Sequence, residues 1–424
     1  MIEFDFIEII AIGALSFALA VFFATAKEGR RLLSYAVGVS AGFILVQFEG
    51  LHLYTIFAVL YVVVSRNLRK HGFLAPLMLT LAALLFASTT LYGDLVKSDG
   101  LAIQLSVMAV TTFLFWLRSS RQDNAAAVLG LLTVTTLGSV VGLMQVVGVV
   151  PMQLFQLANA EMHRPSSWYP EPDWLGLYSA VGIVLSLKLI RDGRLRFFLV
   201  ALNSAAVLAA SARAAWLGLV VVAVWALVRA LREHDTTAKR SRKTVVLVLL
   251  VGVLFAEAVF PAQVELALDR ALSAFQSGGG DSAVIARYGQ IDGLLSLIST
   301  APPYGHGISA GGRVGGFGVI DFSTGGNGNS TASNWFLALL AEGMWVAVPL
   351  ILAVLTIALF GNIQLGAQAA LLLVLVNSLF SNAFYFPVTW FLLAVALTPA
   401  DLNSPKCQSF SKQQSNRFDP IFSP

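Results

Sequence analysis

The chain reads as an all-α, polytopic integral membrane protein. Three observations predict this class. Hydrophobic residues make up 57% of the 424 and charged residues only 12%, with mean hydropathy +0.78, whereas soluble domains carry about 25% charged residues. The apolar residues come in runs near the ~20 that an α-helix needs to cross a bilayer. The lysines and arginines gather in clusters on alternate connections between these runs.

Taken in order, the runs predict spans over 7–25, 32–47, 51–64, 73–91, 101–117, 125–150, 174–189, 197–210, 214–228, 245–260, 335–360, 367–384 and 388–397. That is about twelve to thirteen crossings, the short runs allowing broken or re-entrant helices. The first run is read as a span and not a cleaved signal. Its acids (Glu3, Asp5, Glu8) come first and its basic cluster (Lys27, Arg30, Arg31) follows, the reverse of a signal peptide. Three parts are expected: an N-terminal bundle over 1–150, a second membrane region over 151–400, and a polar cytoplasmic tail over 401–424.

Threading the spans puts every basic cluster on one side: Lys27–Arg31, Arg66–Lys70, Arg118–Arg121, Lys188–Arg196, Arg229–Lys243 and the tail. The positive-inside rule makes that side the cytoplasm. Only Lys97, Arg164, Arg213, Arg270, Arg287 and Arg313 fall on the other side, six of the 27 lysines and arginines. Topology therefore accounts for the pI near 9.2, and no nucleic-acid partner is expected. The single cysteine, Cys407, excludes an intrachain disulfide and a cysteine metal site. P-loop, GxGxxG, HExxH and zinc spacings are all missing, which excludes transport driven by a fused ATPase.

One polar stretch, 261–333, interrupts the apolar pattern on the outer side. Loops of this length are uncommon without function. Its Gly-rich part, 311–328, also fits a connector, but 288–298 has apolar residues at helical spacing and predicts an amphipathic helix.

The candidate residues follow from chemistry. Arg213, in Ser211-Ala212-Arg213, stands where two apolar runs meet. An arginine near membrane depth costs ~2.5–3.5 kcal/mol and usually faces an internal cavity, the alternative being a guanidinium snorkelling from a helix end. Arg287 precedes the predicted helix, where free N–H groups and the dipole favour anions. There it is either a phosphate clamp or the salt-bridge partner of Asp281 or Asp292. Arg164 opens a Pro- and aromatic-rich segment through Gly176 that can stack on sugar rings. Its Trp168 and Trp174 fit interfacial anchors individually. Glu171, before Pro172, is a candidate general base or hydroxyl acceptor. His306, in the turn 302–307, is either a general base or a surface histidine. Tyr288, Arg313 and Ser333 join the candidate substrate-binding set. Asn334 either binds a hydroxyl or caps the helix that follows.

In this order, these pieces resemble the bacterial O-antigen ligase and O-antigen polymerase superfamily over about 164–382. The marks are Arg164–Gly176 against a pattern R-x-S-G-x-x-x-x-P-N-x-x-G, Ser211-x-Arg213 with Gly218, Arg287, Pro303-x-Gly305-x-Gly307, and Ser333-Asn334 with Glu342-Gly343. The resemblance implies a GT-C-like glycosyltransferase in the cytoplasmic membrane with its site on the extracytoplasmic face. The donor would be a polyprenyl-diphosphate-linked glycan, the acceptor a glycan or glycolipid, and the lipid tail would lie among the spans. Arg213 and Arg287 would stabilise the leaving diphosphate, with Arg164 assisting and no metal or other cofactor needed. The family often has His-Asn where this chain has Ser333-Asn334, and the Glu171-Pro172-Asp173 variant favours polymerase over ligase. A lipid-linked glycan transporter is the reading from another class.

Overall fold

The computed structural model describes residues 28–44, 47–48, 51–65, 67–69, 72–95, 98–152, 164–232, 282–315, 318, 332–361 and 366–398. The expected spans 7–25 and 245–260, the segment 261–281 with Arg270, most of the Gly-rich stretch and the tail with Cys407 lie outside the described residues.

The described chain is almost entirely helical. Its helices are α1 (Gly29–Ala41), α2 (Leu53–Val64), α3 (Leu74–Ala87), α4 (Asp99–Arg118), α5 (Arg121–Val146), α6 (Pro172–Leu189), α7 (Gly193–Ala210) and α8 (Arg213–Arg232). After these come α9 (Ser282–Thr300), α10 (Trp335–Gly343), α11 (Ala347–Phe360), α12 (Ala367–Asn377) and α13 (Pro387–Ala396). A two-residue antiparallel pair, β1 (Gln47–Phe48) with β2 (Leu51–His52), joins α1 to α2. Among the described residues, five stretches are long and apolar enough to cross a membrane: Leu74–Leu91, Asp99–Arg118, Arg121–Val146, Gly193–Ala210 and Trp335–Phe360.

The helix ends follow local rules. Ser98 caps α4, and Ser120 and Asp123 form a reciprocal capping box on α5. Pro172 starts α6 at a position that needs no N–H donor. Two apolar runs are broken where a continuous helix was expected. In the run 335–360, Met344 takes φ +43 and separates α10 from α11. In the run 367–384, the turn after Asn377 ends α12 early, with Trp335 N–H donating to the Ser378 carbonyl at 3.0 Å. Hydropathy averaged over a whole span smooths over both breaks, although Glu342-Gly343 precedes the first and Asn377, Ser378, Ser381 and Asn382 line the second.

Small residues allow close helix crossings. A Cβ on Gly38 of α1 would lie 1.7 Å from the Ala127 carbonyl oxygen of α5, and one on Gly130 2.1 Å from that of Tyr35. Association among apolar helices relies on such close contact and on polar glue. The glue here is neutral: Ser139 Oγ lies 2.8 Å from both Ser179 Oγ and Asn203 Oδ1, tying α5, α6 and α7 together. We expect Gly38→Ala to destabilise the protein by ~2–3 kcal/mol, the upper range for overpacking, because the obstructing atom is backbone. Thermal unfolding in detergent measures it.

The basic clusters meet at one end of the bundle. Arg30 pairs with buried Asp123 at 3.2 Å, and Tyr61 donates to the same carboxylate at 2.9 Å. Arg69 donates to the Ser119 carbonyl, Arg118 to that of Ser65, and Asn124 to Thr398 Oγ1. α6 runs antiparallel to α5, Gly142 meeting Leu175 and Gly182 meeting Thr135. Lys188 therefore returns to the basic end, while Pro172, Ser211 and Arg213 sit at the opposite one. One buried core runs through both halves of the chain, from Leu33 to Ala396.

Candidate functional site

At the end opposite the basic clusters, residues 164–173 fold back over α5 and α6. Gln145 Oε1 accepts from the backbone N–H of Ser166 at 3.1 Å and of Ser167 at 2.7 Å. Ser167 takes φ +56, a left-handed conformation that favours glycine, and it occupies the glycine position of the pattern R-x-S-G. Tyr169 is fully buried and stacks on Tyr178 with centroids 4.7 Å apart. Trp168 stacks on Phe43, and Trp174 meets Phe386 edge-on at 4.6 Å. The expectation of an interfacial anchor is corrected for Trp174, while Trp168 is partly buried. The fold-back turns Trp174 into the protein, where it is only 7% exposed.

This fold-back places Arg164 against the end of α7. Its Nε donates to the Ala210 carbonyl at 2.8 Å, and one terminal nitrogen reaches the same oxygen at 2.5 Å and that of Ser211 at 3.5 Å. α7 ends there because Ser211 takes φ +49, a left-handed cap that leaves helix carbonyls open to an outside donor. The Ser211 hydroxyl is buried and turns back to Leu208 O at 3.3 Å. Arg213 begins α8 two residues later and is half-buried.

Asp173 joins two arginines. Its Oδ1 lies 2.7 Å from Arg164 and its Oδ2 3.4 Å from Arg287. Arg287 also stands over the Phe380 ring, 6.0 Å from its centre. The position expected for Arg287 is corrected: α9 begins at Ser282, so Arg287 lies inside the helix and not before it. The helix dipole gives it no anion site of its own, and the carboxylate it meets is that of Asp173. Glu171 lies beside this group. Partial burial raises its carboxyl above the ordinary glutamate range, Asp173 raises it further, and Arg287 and Arg164 pull it back.

Arg164, Glu171, Ser211, Arg213 and Arg287 thus meet at one corner. Ser333 reaches it indirectly. Its backbone N–H and hydroxyl both donate to Gln290 Oε1, and Gln290, on α9, also donates to the Val314 carbonyl at 3.0 Å. Arg313 is buried in the adjoining 3₁₀ turn Gly311–Arg313. Asn334 caps α10, accepting from the Leu337 N–H at 3.0 Å. Tyr288 is 67% exposed, on the outer surface of α9.

His306 stands apart, at the far end of α9. Its Nδ1 lies 2.9 Å from Asp94 Oδ1 and its Nε2 3.0 Å from the Leu297 carbonyl, and the ring is buried. Leu297 is ten helical residues from Arg287, or ~15 Å. The turn around His306 is docked by backbone, with His306 N–H on Ala341 O and Gly307 N–H on Glu342 O, both at 3.0 Å. Gly305, at φ +79, is required there: a Cβ would lie 2.2 Å from the Glu342 carbonyl oxygen. The Glu342 side chain is fully buried and accepts from Tyr385 OH at 2.5 Å. The geometry of His306 is that of a clasp between Asp94 and α9.

Gln290 and Asp94 do not stand out in the sequence as site residues, and Asp173 does so only within the Glu171-Pro172-Asp173 variant. Asp173 carried a signal, since it is an acid in the segment that holds Arg164 on a face with few charges. Gln290, three residues after Arg287, carried a weaker one. Compared with known proteins, the chain matches no family model and no curated protein.

Proposed function

We propose that this is a membrane glycosyltransferase that extends a glycan from a polyprenyl-diphosphate-linked donor, at the membrane face opposite the basic clusters. What supports this is the Arg164–Asp173–Arg287 group beside Arg213, at the end of an apolar bundle. A leaving diphosphate gains negative charge as it departs, and preorganised cations at developing charge are often the largest catalytic contribution. The acceptor hydroxyl oxygen bonds to the anomeric carbon. The bond from that carbon to the phosphate oxygen breaks, and its electron pair leaves with the lipid diphosphate. Arg213 and Arg287 face the departing charge, Arg164 braces the corner, and Glu171 takes the proton.

Repeat-unit polymerisation is favoured over transfer to a lipid A core. The resemblance that supports ligase chemistry places a histidine where this chain has Ser333, and the Ser333 hydroxyl is bonded to Gln290. Transport of the lipid-linked glycan is disfavoured, because the polar groups tying α5, α6 and α7 midway along the bundle are the neutral Ser139, Ser179 and Asn203.

Surface glycan length in cells lacking the protein tests the reading. Loss of the long ladder with single repeat units still attached is the expected result. Loss of all attached glycan, with full chains held on the carrier, would replace polymerase by ligase. An unchanged ladder would overturn both.

A pH profile tests Glu171. As a base it works ionised, so activity rises as pH climbs through its raised pKa, and the rising limb lies above the ordinary glutamate range. Glu171→Gln should lower the rate ~10²-fold or more and remove that limb. A limb that persists in Glu171→Gln assigns the proton to another group.

A further inference from the structure

The two arginines on Asp173 are held very differently. Arg164 is fixed, with a side chain 7% exposed and bonded to the Ala210 carbonyl as well as to Asp173 at 2.7 Å. Arg287 belongs to another helix, its side chain is 32% exposed, and its contact with Asp173 is 3.4 Å. Charge-assisted N–H···O bonds close to ~2.7–2.9 Å when optimal. One carboxylate is thus tightly held by a buried partner and loosely covers a second cation that reaches the surface.

We propose that Asp173 is a resident counter-ion for Arg287, displaced from it when an anionic diphosphate binds. The inference rests on the diphosphate reading above and adds what sets affinity at that site. In the resting protein Asp173 neutralises Arg287 and keeps the guanidinium ordered against Phe380. An incoming diphosphate offers Arg287 a bidentate partner that Asp173, already engaged by Arg164, does not. Asp173 keeps Arg164 throughout, so the corner of α7 stays closed. The exchange makes the site selective for ligands of higher charge. A monoanion gains little over the carboxylate it replaces, whereas a diphosphate outcompetes it.

The test is binding of farnesyl diphosphate and of inorganic pyrophosphate to the full-length protein in detergent, by titration calorimetry. Asp173→Asn should bind farnesyl diphosphate about tenfold more tightly than the wild type, since a like charge beside a bound anion costs at least that much. The gain should vanish when Arg287→Gln is added. A comparable gain for pyrophosphate assigns the effect to the diphosphate group itself, as expected. A gain for farnesyl diphosphate alone would move it to the lipid and overturn the proposal. Asp173→Ser, which also removes the charge, should behave like Asp173→Asn. Binding by the wild type with no gain in either variant overturns the counter-ion alone. Absence of binding by the wild type and both variants overturns the diphosphate reading with it. Failure of both variants to fold, with a stable wild type, assigns the Asp173 carboxylate to folding and overturns the proposal.

Discussion

Arg287→Ala and Arg213→Ala should each abolish long-chain glycan while the protein still accumulates in the membrane. Removing one preorganised donor from developing charge costs about 10²–10³ in rate, and a processive elongation slowed that far leaves no ladder. Arg287→Ala should cost little stability. Arg287 is 32% exposed in its pair with Asp173, and ion pairs reached by solvent contribute ~1 kcal/mol or less. Arg213 is the first residue of α8. There a cation meets the positive end of the helix dipole, an unfavourable placement by ~0.3–1 kcal/mol. Blotting of membrane fractions gives accumulation, and a gel of surface glycan gives chain length. A normal ladder from either variant would sink the assignment.

Much of the bundle was legible because length and hydropathy are summed properties. The runs at 101–117 and 197–210 lie within α4 and α7, the run at 125–150 follows α5 as far as Val146, and the turn after α9 falls where Pro302 and Pro303 end the helical pattern. What was not legible is tertiary. Asp94 and His306 are 212 residues apart, and Asp173 and Arg287 are 114 apart. No local spacing encodes either pair. The start of α9 was misplaced because the apolar spacing was counted from Tyr288. Ser282, a common helix-starting residue type, marks the actual start. Asn334 shows the limit in the other direction. A hydroxyl-binding amide and an N-cap have the same sequence signature, and only the bond to the Leu337 N–H makes it a cap. The arginines stood out because charge is scarce in this chain. Their division of labour did not, since it depends on Arg164 reaching Ala210.

That division predicts a second large effect, of the opposite kind. Arg164→Ala should unfold the corner and not merely silence it. Its guanidinium holds the Ala210 carbonyl at 2.8 Å, the Ser211 carbonyl at 3.5 Å and Asp173 at 2.7 Å, from a side chain 7% exposed. Breaking a buried pair from one side costs ~3–5 kcal/mol. Asp173 is 23% exposed and keeps Arg287 within 3.4 Å, which lowers that figure. The carbonyls at the end of α7 lose their donor, which raises it by ~1–3 kcal/mol. The net expectation is ~4 kcal/mol, seen as a drop in thermal unfolding temperature in detergent and in the amount recovered from membranes. Arg164→Lys should recover only part of it, because an ammonium does not fork across a carbonyl and a carboxylate as a guanidinium does. Arg287→Ala serves as the control in the same measurement. If Arg164→Ala melts with the wild type and loses only activity, Arg164 binds substrate directly and the bracing role assigned to it fails.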